Sequence, residues 1–306
     1  MSRFEVSVAF QSDEADYDAL GKLVDVYDFD AVSVYQDLFF PPSIGPLLAL
    51  ARSTSRARLG PAALNPYTLH PVEIAGQIAQ LDLASGGRAY LGLVRGSWLD
   101  ALGLPQPKPI TRLQETIAAV RYLLAGQRHG FDGQLFTIAP GARLLYEPVR
   151  RDVQIVLGTW GEQTARALGR LVDEVKVGGS TSPAMAQRMR SWLPPQTGLC
   201  LGAVTVVDHD RAAARARARQ ELALYLPVVA KLDVTLNQPN IDAHTISDDV
   251  LDRFAFAGTP DDILGQVAAL RAAGATRIEF GTPHGLDSPS TGLQLLGEHV
   301  LPQLHR

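Results

Sequence analysis

Two glycine-containing turns carry the residue types that bind anionic groups. The first covers residues 158–164, where a strand-like run gives way to a helical pattern, and it includes the hydroxyls of Thr159 and Thr164. The N–H groups and the dipole at the start of a helix attract negative charge, so this turn is a candidate phosphate site. The second turn contains Gly178 and Gly179, which let the backbone approach a ligand closely. Both patterns are also those of ordinary strand-to-helix connections.

Four polar side chains stand where predicted strands end or helices begin. Asp37 is a candidate for hydrogen bonding to a ligand, or an ordinary turn aspartate. Asn65 could bind a ligand or satisfy the backbone of its own turn. His70 and His284 are candidate acid/base residues, because imidazole titrates near neutral pH, with a structural role in the turn as the alternative.

Aromatic and basic residues near the predicted strand ends add further candidates. Trp98 and Trp160 fit either the wall of a pocket or ordinary packing. Arg95 is a candidate contact for an anionic group of a cofactor or substrate. The sequence shows no His, Cys, Asp and Glu cluster with metal-ligand spacing and no Gly-x-Ser-x-Gly motif, so we expect neither a metal site nor a serine nucleophile.

The elements that would position these residues alternate between strand and helix. Such alternation predicts a parallel sheet, and eight units in about 250 or more residues favour a closed (β/α)8 TIM barrel with loop insertions. The predicted strands are 4–10, 31–37, 58–64, 88–94, 153–159, 174–180, 199–207 and 276–281. The predicted helices are 14–27, 43–55, 71–84, 111–125, 161–171, 183–193, 208–230 and 260–274.

Three segments do not fit a minimal barrel. Residues 95–110 and 126–152 are rich in Gly and Pro, and Asp132-Gly133 in the second segment is a turn signal that predicts a hairpin. Residues 231–257 are polar and are predicted to be an irregular lid or partner-facing excursion.

Composition describes an ordinary globular protein. The chain has 306 residues, of which 46% are hydrophobic and 20% charged, and we expect one domain over residues 1–306. A net charge of −4 gives no basic footprint for nucleic acid. The single cysteine, Cys200, fits a reducing compartment, and no run approaches the ~18 apolar residues of a membrane span. We therefore expect a cytoplasmic protein that binds neither nucleic acid nor membrane.

Small residues and prolines interrupt residues 60–71, between a predicted strand and a helix. Asn65-Pro66-Tyr67-Thr68 and His70-Pro71, followed after the helix by Ser85-Gly86-Gly87-Arg88, resemble the bacterial luciferase-like superfamily on its coenzyme F420-dependent branch, of the methylene-tetrahydromethanopterin reductase type. The similarity spans nearly the whole chain. Further matches are Asp37-Leu38-Phe39-Phe40, Leu91-Gly92-Leu93, Gly158, Gly161, Phe280-Gly281-Thr282-Pro283, Leu296-Gly297-Glu298 and Val300-Leu301-Pro302.

This resemblance implies a (β/α)8 barrel that binds coenzyme F420 or, in sister branches, FMN. It also implies a non-proline cis peptide at the end of the third strand, by position Ala62–Ala63, whose bulge supports the back of the deazaflavin ring. The cofactor-binding residues that it implies, together with those suggested above, are Asp37, Ala62, Ala63, Asn65, Thr159, Trp160, Gly161, Thr164, Gly178 and Gly179.

The sequence departs from the family pattern at several positions. Ala62 replaces the usual Gly, Leu64 the usual Thr and Leu69 the usual Arg. Leu38 stands where the sugar-phosphate dehydrogenases of the superfamily place a catalytic His, so we do not expect glucose-6-phosphate oxidation by that mechanism.

The resulting hypothesis is an F420-dependent oxidoreductase that transfers a hydride between the deazaflavin C5 and an organic small molecule. One alternative is an FMN-dependent luciferase-like monooxygenase, and another is a catalytically inactive barrel that binds a cofactor or a partner. The family implies a homodimer. The catalytic residue is not identified, with His70 and His284 as candidates.

Overall fold

The computed structural model describes residues 3–14, 16–236 and 246–305. All eight predicted strands are confirmed, and a predicted hairpin and one further short strand accompany them. The strands are β1 (Glu5–Phe10), β2 (Ala31–Tyr35), β3 (Arg58–Ala62), β4 (Tyr90–Leu93), β5 (Phe131–Asp132), β6 (Thr137–Ile138), β7 (Gln154–Gly158), β8 (Glu174–Gly178), β9 (Gly198–Val207), β10 (Phe256–Gly258) and β11 (Arg277–His284).

Helices follow the barrel strands as the alternation predicts. They are α1 (Tyr17–Val26), α2 (Ile44–Ser53), α3 (Pro71–Ala84), α4 (Pro109–Leu124), α5 (Glu162–Leu168), α6 (Pro183–Trp192), α7 (Arg211–Ala223), α8 (Leu226–Leu232), α9 (Asp248–Phe254), α10 (Pro260–Ala272), α11 (Pro289–Leu295) and α12 (Leu301–Leu304). Short 3-10 or π-helical turns lie at 99–102, 169–171 and 296–300.

The sheet closes into a barrel. Its parallel strands run in the order β3, β2, β1, β11, β9, β8, β7, β4, with β10 paired to β9 outside this path. Parallel bridges between Leu59 and Ala89 and between Leu64 and Leu93 join the two ends of the path. The predicted (β/α)8 architecture is therefore confirmed.

Three regions differ from the sequence-based expectations. The predicted helix 208–230 is two helices, because Pro227, in the first turn of α8, has no N–H to continue the ladder of α7. The predicted irregular segment 231–257 contains α9 and β10 in its described part, while residues 237–245 lie outside the described residues. The C-terminal helices α11 and α12 were not predicted.

The main hydrophobic core lies between the barrel strands and the surrounding helices. A second apolar cluster packs α7, α8 and α9 against the end of β9 and against β10. These elements therefore share a hydrophobic core separate from the main one. Within residues 3–14, 16–236 and 246–305, no helix is long and apolar enough to cross a membrane.

Candidate active site

The C-terminal ends of the barrel strands, with the loops that follow them, form what we call the mouth of the barrel. Five of the residues singled out in the sequence follow or end five different strands: Asp37 (β2), Asn65 (β3), Thr159 (β7), Gly178 (β8) and His284 (β11). Because parallel strands all end at the same side, the barrel brings these residues to one face.

The chain bends at the end of β3, where the Ala62–Ala63 peptide bond is cis. This confirms the expectation drawn from the family resemblance. Ala62 pairs with Tyr35 of β2, and beyond the bend the Leu64 amide donates to the Gly92 carbonyl at 3.0 Å. We call Ala62–Ala63 the shelf.

Two glycines at the mouth have opposite surroundings. A Cβ on Gly92 would lie 1.9 Å from the carbonyl oxygen of Pro61, so this position leaves room only for the bent backbone of β3. In contrast, no surrounding atom among the described residues lies within 4 Å of a Cβ built on Gly178. The end of β8 therefore borders open space, into which a ligand can enter.

Asn65 and His70 organise the turn after the shelf. The side-chain oxygen of Asn65 accepts hydrogen bonds from the Tyr67 amide, the Thr68 amide and the Thr68 hydroxyl, each at 3.1 Å. His70 caps α3, because its Nδ1 accepts from the Val72 amide at 3.2 Å. These contacts match the structural alternative for both residues, and a ligand-binding or acid/base role stays a prediction.

His284 is fully buried, and its environment keeps it neutral. Its Nε2 lies 3.0 Å from the Phe280 carbonyl oxygen, which can only accept, so Nε2 carries the proton and Nδ1 is left as an acceptor. Nδ1 is buried without a partner among the described residues. Burial lowers the pKa of His284 from 6.5 to about 4. At neutral pH, the side chain can therefore accept a hydrogen bond through Nδ1.

Two more buried polar atoms near the mouth lack partners among the described residues. These are the hydroxyl oxygen of Ser12, in the loop after β1, and that of Tyr225, in the turn between α7 and α8. The ring of Tyr225 lies 3.8 Å from the position of a Cβ on Gly179, which places it at the mouth. Buried polar groups are normally hydrogen-bonded. These two hydroxyls are therefore candidates for hydrogen bonds to a ligand at the mouth.

Asp37 lies at the outer edge of the mouth. Its residue surface is exposed, although loss of hydration on the inner side raises the pKa of its carboxyl above the ordinary value. Asp37 is therefore available to a ligand at the rim.

The turn after β7 is internally bonded. The Gly161 amide donates to the Thr159 hydroxyl oxygen at 3.1 Å, and the Trp160 indole donates to the Gly178 carbonyl at 3.0 Å. Glu162 adds a negative charge to the first turn of α5, which opposes an anion at that helix start. Thr164 is half-buried on the same helix. A phosphate role for this turn stays a prediction.

The turn after β8 is also bonded to the protein. The amides of Gly179 and Ser180 donate to the Gly202 carbonyl at 2.6 and 3.1 Å, and the Thr181 amide donates to the Arg253 carbonyl at 2.9 Å. Gly179 has a φ of +81°, and a Cβ there would lie 2.8 Å from Val229. These three amides are engaged with protein carbonyls, and a ligand-binding role for Gly178 and Gly179 stays a prediction.

The interior of the barrel below the mouth is polar, which the sequence analysis did not predict. Lys176 of β8 forms an ion pair with Glu279 of β11, and the Ser33 hydroxyl donates to the same carboxylate. Arg277 Nε donates to both carboxylate oxygens of Glu174, at 2.9 and 3.1 Å. Burial alone would raise the pKa of Glu279, but the nearby cations, chiefly Lys176, lower it overall, so the pair is ionised.

A shared sequence pattern underlies these pairs. Residues 174–178 and 277–281 both read charged, apolar, charged, apolar, Gly, which puts both charges of each strand on one face. β9 lies between these strands, and a Cβ on Gly202 would lie 3.1 Å from Glu279 and 3.4 Å from Lys176. Glycine in β9 therefore leaves space for the side chains to meet. The repeated pattern was the signal in the sequence for this site.

Large apolar side chains are exposed on two loops of the mouth. Phe39 and Phe40 lie on the loop after β2, and Trp98 and Leu102 on the loop after β4. These strands flank β3 and its shelf. Arg95 is exposed on the second of these loops. The rim beside the shelf is therefore largely apolar, with a cation available.

A closed barrel with a bent third strand and a glycine-bordered mouth defines a (β/α)8-barrel protein with a candidate ligand site at the strand ends. A family model described as "Luciferase-like monooxygenase" matches residues 7–277. The chain belongs to this family.

Relatives are similar over most of their length. The chain is 27% identical to a 5,10-methylenetetrahydromethanopterin reductase of Methanolobus tindarius, covering 92% of this chain and 94% of the relative. It is 25% identical to an F420-dependent glucose-6-phosphate dehydrogenase of Microbacterium testaceum, covering 87% and 84%. The crystal structure of the coenzyme F420-dependent tetrahydromethanopterin reductase of Methanopyrus kandleri shares the fold, with a TM-score of 0.86, 21% identity and coverage of 99% and 100%.

Proposed function

We propose that this protein is a coenzyme F420-dependent oxidoreductase, which transfers a hydride between the deazaflavin C5 and an organic small molecule. The observation that carries the proposal is full-length similarity to proteins whose names specify F420, including the glucose-6-phosphate dehydrogenase above. The M. kandleri reductase, which is also named as F420-dependent, shares the fold over nearly the whole chain.

Several features of the mouth support the binding of a flat tricyclic ring. The shelf offers a bent backbone on one side, and Gly178 borders open space across the barrel. The unpartnered atoms of Ser12, Tyr225 and His284 offer hydrogen bonds to polar groups of a ligand. When bound, the deazaflavin supplies the hydride chemistry. These residues bind and orient it, and the apolar rim helps to exclude water.

The acceptor or donor substrate is, in this proposal, apolar. Phe39, Phe40, Trp98 and Leu102 at the rim favour an aromatic or aliphatic molecule, since apolar contact area is what such side chains bind. Leu38 also occupies the position at which the sugar-phosphate dehydrogenases of the family have a histidine, which argues against a sugar phosphate as the substrate.

A second candidate function is an FMN-dependent monooxygenase, which the description of the matching family favours. The two functions differ in chemistry, because a reduced flavin forms an oxygen adduct and a reduced deazaflavin does not. Cofactor binding therefore separates them.

The test is a fluorescence titration of the purified protein with F420 and, separately, with FMN. We expect micromolar or tighter affinity for F420 and at least tenfold weaker affinity for FMN. Gly178→Val should abolish F420 binding by filling the open space, whereas Gly265→Val, at an exposed position of α10 with equally free surroundings, should not. Tight FMN binding without F420 binding would establish the second candidate instead.

We also infer a cytoplasmic location and a homodimer, and both stay predictions. The single cysteine, Cys200, is buried in β9 with a free thiol, which is compatible with a reducing compartment. The family resemblance supports the dimer, and sedimentation of the purified protein would test it.

A further inference from the structure

The side chain of Tyr35 reaches from β2 over the neighbouring strand β1 to β11. It is the last residue of β2 and pairs in register with Ala62 of the shelf. Its hydroxyl oxygen lies 2.2 Å from the position of a Cβ on Gly281 of β11. Position 281 therefore has room for the tyrosine hydroxyl only because it is glycine.

The Tyr35 hydroxyl has no hydrogen-bond partner among the described residues, and its side chain is half-buried. Tyr90, one layer deeper in the same barrel, differs in this respect. The Tyr90 hydroxyl lies 2.7 Å from the Ser33 hydroxyl and donates to the Val32 carbonyl at 3.3 Å. The barrel thus satisfies the deeper tyrosine internally, whereas the hydroxyl beside the shelf forms no hydrogen bond within residues 3–14, 16–236 and 246–305.

A cation lies near the Tyr35 ring. The Lys176 ammonium lies 6.0 Å from the centre of the Tyr35 ring, and its side chain is 13% exposed, whereas that of its partner Glu279 is 2% exposed. Burial raises the pKa of Tyr35, and the Glu279 charge raises it further, so the phenol keeps its proton and acts as a donor. The floor of the mouth therefore presents a neutral donor, and the ammonium that lies 6.0 Å from the centre of the same ring is paired with Glu279.

We propose that the Tyr35 hydroxyl binds the pyrimidine carbonyl edge of the deazaflavin and favours the reduced ring over the oxidised ring, with the Lys176 ammonium, on the Tyr35 ring side, adding positive charge to the site. This inference rests on the proposed F420 function. Hydride addition at C5 shifts the displaced electron pair towards the N1–C2 carbonyl edge, and donors at that edge stabilise the added charge. Tyr35 is placed for this contact because it neighbours the shelf.

The test compares affinities for the two redox forms of the cofactor. Dissociation constants for oxidised F420 and, under anaerobic conditions, for reduced F420 are measured by fluorescence for the wild type and Tyr35→Phe. We expect Tyr35→Phe to weaken binding of reduced F420 about tenfold more than binding of oxidised F420. This change in ratio corresponds to a fall of about 30 mV in the two-electron potential of the bound cofactor.

A matched control separates this effect from loss of a hydroxyl in general. Tyr122 lies on α4, away from the mouth, and its hydroxyl accepts from the amide of Gly130 in the following loop at 2.8 Å. Tyr122→Phe removes this hydroxyl and should leave both affinities unchanged. Tyr35→Phe keeps the ring and its packing, so the barrel should fold. Lys176→Met is a second variant, with the same expected direction.

An unchanged ratio of the two affinities in Tyr35→Phe would overturn the inference, whether both affinities stay the same or both fall equally. If wild-type protein binds neither form of F420, the proposed function itself has failed. These outcomes are distinct, because the inference alone fails only when the wild type binds the cofactor.

Discussion

At His284, a single hydrogen bond and complete burial determine what the side chain can do. The backbone carbonyl of Phe280 selects the tautomer, and the ring packs edge-on against Phe10 with centroids 5.6 Å apart. An acid/base candidate in the sequence thus becomes, in the structure, a neutral imidazole with one free acceptor. A role in proton transfer stays a prediction.

The pKa of His284 predicts a pH-dependent stability. Between pH 6.5 and about 4, the unfolded chain binds a proton at this residue and the folded chain does not, so acidification favours unfolding. We expect the free energy of unfolding to fall by up to roughly 3 kcal/mol across this range because of His284. Denaturant unfolding of wild type and His284→Gln at several pH values measures it. Parallel pH profiles for the two proteins would contradict the assignment.

At the scale of the element, small residues determine which strands can approach and which side chains can cross. β9 carries Gly202 between the charged faces of β8 and β11, and β4 carries Gly92 against the bent end of β3. In both places glycine is needed for space, since neither residue has a positive φ. A Cβ at position 92 would collide with the Pro61 carbonyl, and one at position 202 would be in tight contact with Glu279.

Gly92→Ala and Gly178→Ala should therefore behave differently, although both place a methyl group at the end of a barrel strand. The methyl at 92 meets the Pro61 carbonyl and should cost about 3 kcal/mol or more of stability. The methyl at 178 meets open space and should change stability by less than about 1 kcal/mol. Thermal or denaturant unfolding compares them. Equal destabilisation would show that the surroundings of one glycine are wrongly described.

At the scale of the whole molecule, closure of the sheet makes the mouth a single site. The seam between β3 and β4 is held by three backbone hydrogen bonds of 2.9–3.0 Å. The Leu59 amide donates to the Arg88 carbonyl, the Leu64 amide to the Gly92 carbonyl, and the Val94 amide to the Leu64 carbonyl. The seam runs through the bend of β3. The ligand site and the closure of the barrel are thus parts of one structure.

Hydrogen exchange should reveal this closure. We expect the amides of Leu64 and Val94 to exchange nearly as slowly as that of Val8 in β1, because opening the seam requires opening the barrel. Nuclear magnetic resonance on the native protein measures the three rates. Exchange of Leu64 and Val94 near the rate of an unstructured peptide would indicate an open sheet with β3 and β4 at its edges.

The sequence by itself determined the order of the elements and brought the candidate site residues to one face of the barrel. Apolar strand runs, turn residues and helix patterns are local signals, and all eight barrel strands were predicted from them, as was the hairpin of β5 and β6. The short β10 and the C-terminal helices were missed, because their local patterns are brief. The bend at Ala62–Ala63 followed from the family resemblance and not from local patterns.

Only the tertiary structure decided which side chains meet. Glu174 pairs with Arg277 and Lys176 with Glu279, each across 103 residues of chain, and Tyr35 reaches the space above Gly281. Alternation along a strand tells which face a residue occupies, but its partner depends on strand order and register, which arise only when the barrel closes. The contacts of Asn65 and His70, in contrast, are local, and the sequence analysis had named a structural role in the turn as one alternative for each.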